Sequence, residues 1–246
     1  MKNNYLIYKN KCKQLMSILN SSVIKSTLKY EDKNINNIIS KYKFANFGTH
    51  NAGAVFLGYL DDNKLRILCS KEQRKHNNTY IHVLNIVGGN IEPNETILRG
   101  LIREILEEIF NIKVKKCYVD KIEEYIKSID CYEIIKFNLD SYTYIFDILI
   151  LGKFLEFLLE CGNKKFKKYI LKDNIDIINF IKERDIPKEI PKNGLNEVLS
   201  LGFEEFDKLK YNILNNPSKC DFFNMKTNEI EQLKCYNVLE KLIKLL

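Results

Sequence analysis

Gly88-Gly89-Asn90-Ile91-Glu92-Pro93-Asn94-Glu95, running on to Arg103-Glu104-Ile105-Leu106-Glu107-Glu108, follows the apolar run Tyr80–Val87. The order predicts a strand, a glycine turn, a loop and an amphipathic helix. Glu104, Glu107 and Glu108 stand at i, i+3 and i+4, so they share one helix face. Like charges at that spacing repel, and a bound divalent cation is the simplest compensation. Ile97, Leu101, Ile105 and Ile109 form a second stripe that predicts burial. Gly88 and Gly89 let the backbone turn sharply and come close to a metal or a phosphate.

Upstream, Ala52–Leu57 is apolar throughout, Asp61-Asp62-Asn63 is a turn signal, and Lys64–Leu68 alternates polar with apolar as a half-buried strand does. Ser70–Asn78 is polar and basic and is expected to be loop. Leu15, Ile18, Leu19 and Val23, and later Ile35, Ile38 and Ile39, give residues 5–46 a helical pattern. Downstream, Tyr118–Tyr125 and Tyr132–Phe137 are expected strands, Asn138–Ser141 a turn, and Tyr142–Leu151 a strand rich in aromatic and β-branched residues. Residues 154–182, 195–211 and 228–246 have helical patterns, and Ile186–Gly194, with two of the four prolines, is the expected linker. Strands around a central helix imply an α/β or α+β sandwich.

The chain has 246 residues, 45% of them apolar, and a formal net charge of +7. Its length allows one elaborated domain or two small ones, and its basicity suits a polyanionic partner without specifying one. The seven cysteines include no C-x-x-C pair, so neither a disulfide framework nor a zinc site is expected. No apolar run has the length of a membrane span. The polar start, Met1-Lys2-Asn3-Asn4, does not read as a signal peptide, so a cytoplasmic location is expected. Lys164, Lys165, Lys167, Lys168 and Lys172 cluster, either as a solvated face or as a phosphate-contacting patch.

The spacing Gly89, five residues, Glu95, seven residues, Arg103-Glu104-Ile105, one residue, Glu107-Glu108 resembles the Nudix box, G-x5-E-x7-R-E-U-x-E-E-x-G-U with U apolar. Six identities at this spacing arise by chance roughly once in ten million starting positions, at about 6–7% usage per residue type. One position departs: Phe110 stands where the box has glycine. Asn111 is the next-best residue for a left-handed helix end, so the helix is expected to run one residue further, with Ile112 as the following apolar residue.

More narrowly, residues 50–155 are similar to the poxvirus Nudix mRNA-decapping enzymes, whose boxes read REI-x-EE with an asparagine-containing helix end. The resemblance implies a Nudix α/β/α sandwich with a helical extension over 1–47, a hydrolase core over 48–155 and a helical elaboration over 156–246. It implies hydrolysis of the 5′ cap of mRNA to 7-methyl-GDP and 5′-monophosphate RNA, with Mg²⁺ or Mn²⁺ as cofactor and capped mRNA as partner. Glu104, Glu107 and Glu108, with the backbone of Gly89, would hold metal. Arg103 would brace the cluster through a box glutamate such as Glu95. One of Glu104, Glu107 and Glu108, or a later glutamate, would activate water, with Glu107 and Glu108 the catalytic candidates. Glu183 is a candidate further metal acid or an ordinary exposed glutamate. Tyr144 is a candidate cap-stacking residue or a core aromatic. Asp140 is a candidate reader of the guanine edge, and Tyr80 a second stacking candidate. The vertebrate-virus relatives carry a long basic, aromatic insertion where this chain has only Ser70–Thr79. A small-molecule Nudix hydrolase, acting on nucleoside diphosphate derivatives or inositol pyrophosphates, and a non-catalytic Nudix-fold regulator are the alternatives.

Overall fold

Strand β1 (Ala52–Asp61) alternates its buried side chains between two apolar clusters. Val55, Leu57 and Tyr59 pack into one, and Ala54 and Phe56 into the other. That period of two, with both faces apolar, marks a strand covered on both sides. In this computed structural model the described residues are 14, 52–77, 79–129, 133–138, 141–184 and 198–245. The expected helical region 5–46 (residue 14, on a helix, apart) and the expected linker lie outside them.

The strands β2 (Lys64–His76), β3 (Thr79–Asn85), β4 (Gly88–Asn90), β5 (Glu133–Asn138), β6 (Ser141–Asp147), β7 (Val198–Glu205), β8 (Cys220–Asn224) and β9 (Glu229–Cys235) join β1 in one mixed sheet. Its main order is β5-β6-β1-β2-β3-β9-β8, with β4 pairing β1 and β7 pairing β2. The β1/β6 pair is parallel, with Ala54 opposite Thr143 and Phe56 opposite Ile145. From residue 52 on, the helices among the described residues are α1 (Ile97–Glu104), α2 (Lys116–Ile129), α3 (Ile150–Glu160), α4 (Asn174–Glu183), α5 (Phe206–Asn215) and α6 (Asn237–Leu245), and a π-helical turn, Ile105–Ile109, continues α1. Side chains of α1–α4 enter the first cluster and those of α5 and α6 the second, so helices cover both sheet faces. The fold is α+β.

Several expected elements are corrected. Residues 118–125 are helix: Tyr118, Val119, Ile122, Ile126 and Ile129 are buried at steps of three and four, which outweighs the β propensity of Tyr-Val. Ser70–His76 continues β2, which turns at Asn77 into β3 and pairs with it from Ser70↔Asn85 to His76↔Thr79. The strand expected to reach Leu151 stops at Asp147, whose carboxylate accepts from the amide of Leu149 and starts the turn into α3. Residues 154–182 hold the end of α3, a turn region and α4, not one helix. The 195–211 pattern divides into β7 and α5, and 228–246 into β9 and α6. β7 to β9 extend the same sheet as β1, and α3 spans residues 150–160 without a break.

Cys69, Cys220 and Cys235 are buried and, with Cys117 and Cys161, free, in keeping with small apolar cysteines. Among the described residues no helix is long and apolar enough to cross a membrane.

Candidate active site

The loop before α1 closes on itself. The Glu92 amide donates to the Glu95 carboxylate at 3.0 Å, and the Glu95 amide to the Glu92 carbonyl at 3.0 Å. Thr96 then caps α1, its Oγ1 accepting from the Arg99 amide at 3.2 Å, which satisfies one of the orphan donors of a helix start. Leu101, Ile105 and Ile109 are fully buried and Ile97 nearly so, as the apolar stripe predicted. That stripe fixes the rotation of the helix and turns its acids toward the glycine turn.

Arg103 is the hub of those acids. Nη1 donates to Glu104 at 2.7 Å and to Glu107 at 3.1 Å, Nη2 to Glu95 at 3.2 Å and to the Asn90 carbonyl at 2.6 Å, and Nε to Glu95 at 3.3 Å. Only a planar, five-donor guanidinium bridges so many acceptors at once. The expected brace to Glu95 is present, and it extends to two of the three helix glutamates.

Gly88 and Gly89 sit against the acids. The Gly88 amide donates to Glu108 at 3.2 Å. A Cβ on Gly88 would fall 2.3 Å from the Gly53 carbonyl oxygen of the paired strand, and one on Gly89 would fall 2.3 Å from Oε1 of Glu104. The turn is thus glycine because β1 lies on one side of it and a carboxylate on the other.

Sequence reasoning missed Glu72 and Arg74. Glu72 is completely buried on β2, with Oε1 accepting from Ser70 at 2.7 Å and Oε2 from Arg74 at 2.6 Å and Asn85 at 3.1 Å. Leu68, Ser70, Glu72 and Arg74 alternate along one strand. The available signal was that alternation, continued in polar residues past the apolar part of β2.

Burial dominates the protonation of the cluster. It pushes Glu104 up to about 7, with Arg103 acting against it. Burial also raises Glu107, again opposed by Arg103. Glu108 is driven well above the ordinary carboxylate range, by burial first and then by the charges of Glu72 and Glu104; the Gly88 amide and Arg74 ease it. For Arg103 burial works against the charge, but Glu104 and Glu95 outweigh it and hold the guanidinium above its ordinary value.

Among the described residues no three His, Cys, Asp or Glu side chains converge as a ready metal-binding group. Glu104 and Glu107 face Arg103, and Glu108 faces the Gly88 amide. The donor chemistry nonetheless fits Mg²⁺ or Mn²⁺: hard carboxylate oxygens on a rigid helix, beside a glycine turn without side chains. Their raised proton affinity comes from burial first and from neighbouring carboxylates second, and a cation would offset both.

The helix end is as predicted. Asn111 is left-handed, with φ of 48°, and the Ile112 amide donates back to the Leu106 carbonyl at 3.2 Å. The Phe110 amide reaches five residues back, to Ile105, at 3.2 Å. The π turn takes up one more residue than an α turn, which moves the left-handed position from 110 to 111. Phe110 is buried, its ring centroid 5.2 Å from that of Phe180.

The other candidates separate. Tyr144 is 1% exposed in the core, its ring stacked against Phe146; it has no open face for a base, so the cap-stacking assignment is corrected to a core aromatic. Asp140 lies outside the described residues. Tyr80, on β3, is 67% exposed. Glu183 is exposed at the end of α4, 3.9 Å from Lys168, and lines a cavity with Phe110. Its neighbour Arg184 turns inward and donates to the backbone carbonyl of Glu108. No protein-family model matches this chain, and no curated protein matches it.

Proposed function

We propose that the protein is a divalent-metal-dependent Nudix-type pyrophosphohydrolase that removes the 5′ cap of mRNA, yielding 7-methyl-GDP and 5′-monophosphate RNA and so promoting mRNA turnover. The observation that carries the reading is the Arg103 hub. It gathers Glu95, Glu104 and Glu107 beneath a glycine turn that also holds Glu108, and these are the residues whose spacing resembles the box.

Glu104, Glu107 and Glu108 would hold the metal, with the backbone of Gly89 beside them. Bound there, Mg²⁺ or Mn²⁺ would neutralise charge on the bridging phosphate oxygens and favour in-line attack by water. Arg103 keeps the acids in register and is itself shielded from substrate by them. One of these acids, ionised against the metal, or a later glutamate would accept the proton of the attacking water. The +7 charge favours a large polyanion over a free nucleotide.

The test is release of labelled cap from capped RNA with Mg²⁺ or Mn²⁺, wild type against Glu108→Gln. Metal-dependent release that the variant loses supports the reading. Equal cleavage of cap dinucleotide and long capped RNA would favour the small-molecule hydrolase instead. A second reading, a non-catalytic Nudix-fold regulator, is favoured by the acids being closed onto Arg103 and Gly88. It predicts no metal-dependent release from any substrate and no effect of Glu108→Gln.

A further inference from the structure

The seam between α2 and α3 ends on two cysteines. Cys117, Lys121 and Tyr125 stand at i, i+4 and i+8 on α2, so they share one face. Opposite them are Cys161, Glu160 and Phe157, running back along the end of α3. The Tyr125 and Phe157 ring centroids are 5.6 Å apart, and Lys121 Nζ donates to the Glu160 carboxylate at 2.6 Å. At the end of the seam the Cys161 thiol donates to the carbonyl oxygen of Cys117 at 3.5 Å. Antiparallel packing in this register brings together two cysteines 44 positions apart in the chain.

Solvent reaches this pair. Cys117 is exposed and Cys161 partly so, whereas Cys69, Cys220 and Cys235 are buried. Partial burial, and then a hydrogen bond with the Cys117 thiol, hold the Cys161 thiol above its ordinary range, so the two side chains already meet. Cys161 closes α3, its amide donating to the Phe157 carbonyl at 3.0 Å. Gly162 follows with a left-handed φ of 82° and open space beside it. A sulfur on a helix end can shift to meet its partner with little disturbance of the hydrogen bonds further back.

We propose that Cys117 and Cys161 are a reversible oxidation site, which a peroxide converts to a disulfide that clamps α2 to α3. The Cys117 thiolate, on the exposed side, attacks a peroxide oxygen. The O–O bond breaks, hydroxide leaves and is protonated to water, and Cys117 becomes a sulfenic acid. The Cys161 sulfur gives up its proton and attacks the Cys117 sulfur. The S–S bond forms, the S–O bond breaks, and the hydroxyl leaves with that proton as a second water. Two thiols and one hydrogen peroxide thus yield one disulfide and two waters. A small thiol reverses the step by exchange, which its exposure permits, and a transient disulfide of this kind suits a reducing compartment. α2 also carries Asp120 and Glu123, which accept from Arg99 of α1 at 2.7 and 2.5 Å, so the clamp steadies the support of the box helix.

The test treats the full chain, without divalent metal, with a slight excess of hydrogen peroxide. Remaining thiols are alkylated, and tryptic peptides are mapped by mass spectrometry before and after reduction with dithiothreitol. The expected product joins residues 117–121 to residues 154–164 within one chain, and dithiothreitol releases it. The oxidised chain is expected to melt about 5–10 °C above the reduced one, the gain from closing a loop of this length. Cys161→Ser is expected to stop at the Cys117 sulfenic acid, which dimedone traps, and Cys117→Ser to form no crosslink at residue 161. The proposal is overturned if peroxide leaves both wild-type thiols open to alkylation, or oxidises them without joining them. A crosslink between the buried Cys220 and Cys235 in place of this one overturns it too, as does a 117–161 crosslink that fails to raise the melting temperature. Since no cap and no metal are present, each of these failures leaves the hydrolase reading untouched.

Discussion

The backbone amide of Gly88 donates to the side chain of Glu108 over 3.2 Å, tying the glycine turn to the buried end of the box helix. Gly88 cannot grow: a Cβ would sit 2.3 Å from the Gly53 carbonyl and 2.7 Å from the Ala54 Cα, both in the backbone of a central strand. Gly88→Ala is therefore expected to destabilise the fold by about 1–3 kcal/mol, the usual range for overpacking, measured by urea unfolding. Gly89→Ala meets only the end of the Glu104 side chain, which can swing away. Stability should fall less, while metal-dependent hydrolysis should fall on the order of a hundredfold through the displaced carboxylate. Equal stability losses in the two variants would refute this distinction.

Arg103 hydrogen-bonds three carboxylates while its side chain is only 13% exposed. Arg103→Ala leaves buried acids uncompensated and is expected to cost roughly 3–5 kcal/mol. Arg103→Lys keeps the charge but loses the planar fork. Its expected signature is a lowered kcat with a nearly constant KM, because the acids lose register while substrate contacts remain. A change confined to KM would place Arg103 on the substrate.

The three helix acids set a pH dependence of stability. Glu104 holds its proton up to about pH 7 in the folded chain, against an ordinary value of 4.5. Below 4.5 both folded and unfolded chains are protonated, and this group favours the fold fully. As pH rises from there, the unfolded chain releases its proton first, so stability declines and the contribution is lost through pH 7. Glu107 and Glu108 are raised too and act in the same direction. With chelator present, melting should be lower at pH 8 than at pH 5, and Mg²⁺ should restore stability mainly at pH 8 by binding the ionised acids. A Mg²⁺ effect as large at pH 5 as at pH 8 would contradict this.

Glu72 acts on Glu108 without belonging to the box. Glu72→Gln preserves its shape and removes a negative charge that raises the Glu108 pKa. The acid limb of the hydrolysis profile is then expected to move to lower pH. Stability should drop by about 1–3 kcal/mol, because Arg74 loses its charged acceptor. An unmoved acid limb would separate Glu72 from the chemistry.

Tyr144 and Tyr80 make a contrasting pair. Tyr144→Ala empties a core position and should cost about 3–5 kcal/mol, with KM for capped substrate unchanged once the protein is folded. Tyr80 is exposed, and if it stacks on cap, Tyr80→Ala should raise KM at constant stability, by roughly 1–3 kcal/mol of lost stacking. A KM effect at Tyr144 alone would reverse these assignments.

What the sequence made legible was local. The Ile97–Ile109 stripe, the turn at Asp61–Asn63 and the left-handed Asn111 each follow from spacing or backbone preference within a few residues. The Arg103 to Glu95 contact was accessible only through the resemblance to the box. Glu72 was not legible, because its burial among Ser70, Arg74 and Asn85 is decided by the pairing of β2 with β3, and a lone polar residue in a polar run carries no mark of that. The strands β8 and β9 were hidden for a similar reason: Leu233 and Cys235 face the second cluster, yet the exposed Ile230 fills in a spurious helical period. Tyr144 stood open between a cap-stacking and a core reading, and its burial beside Phe146 favours the core one.

The π turn has a consequence for how such sites are compared. It stores one extra residue inside the helix, so the chain downstream is out of phase by one position, while every group upstream of it keeps its place. In this chain the left-handed residue after the last acid is Asn111, and the helical pitch decides that it falls there and not at 110. Removing one residue from Ile105–Ile109 would rewind the turn and rotate Glu107 and Glu108 relative to Glu104, so the spare residue is part of how the acids are aimed.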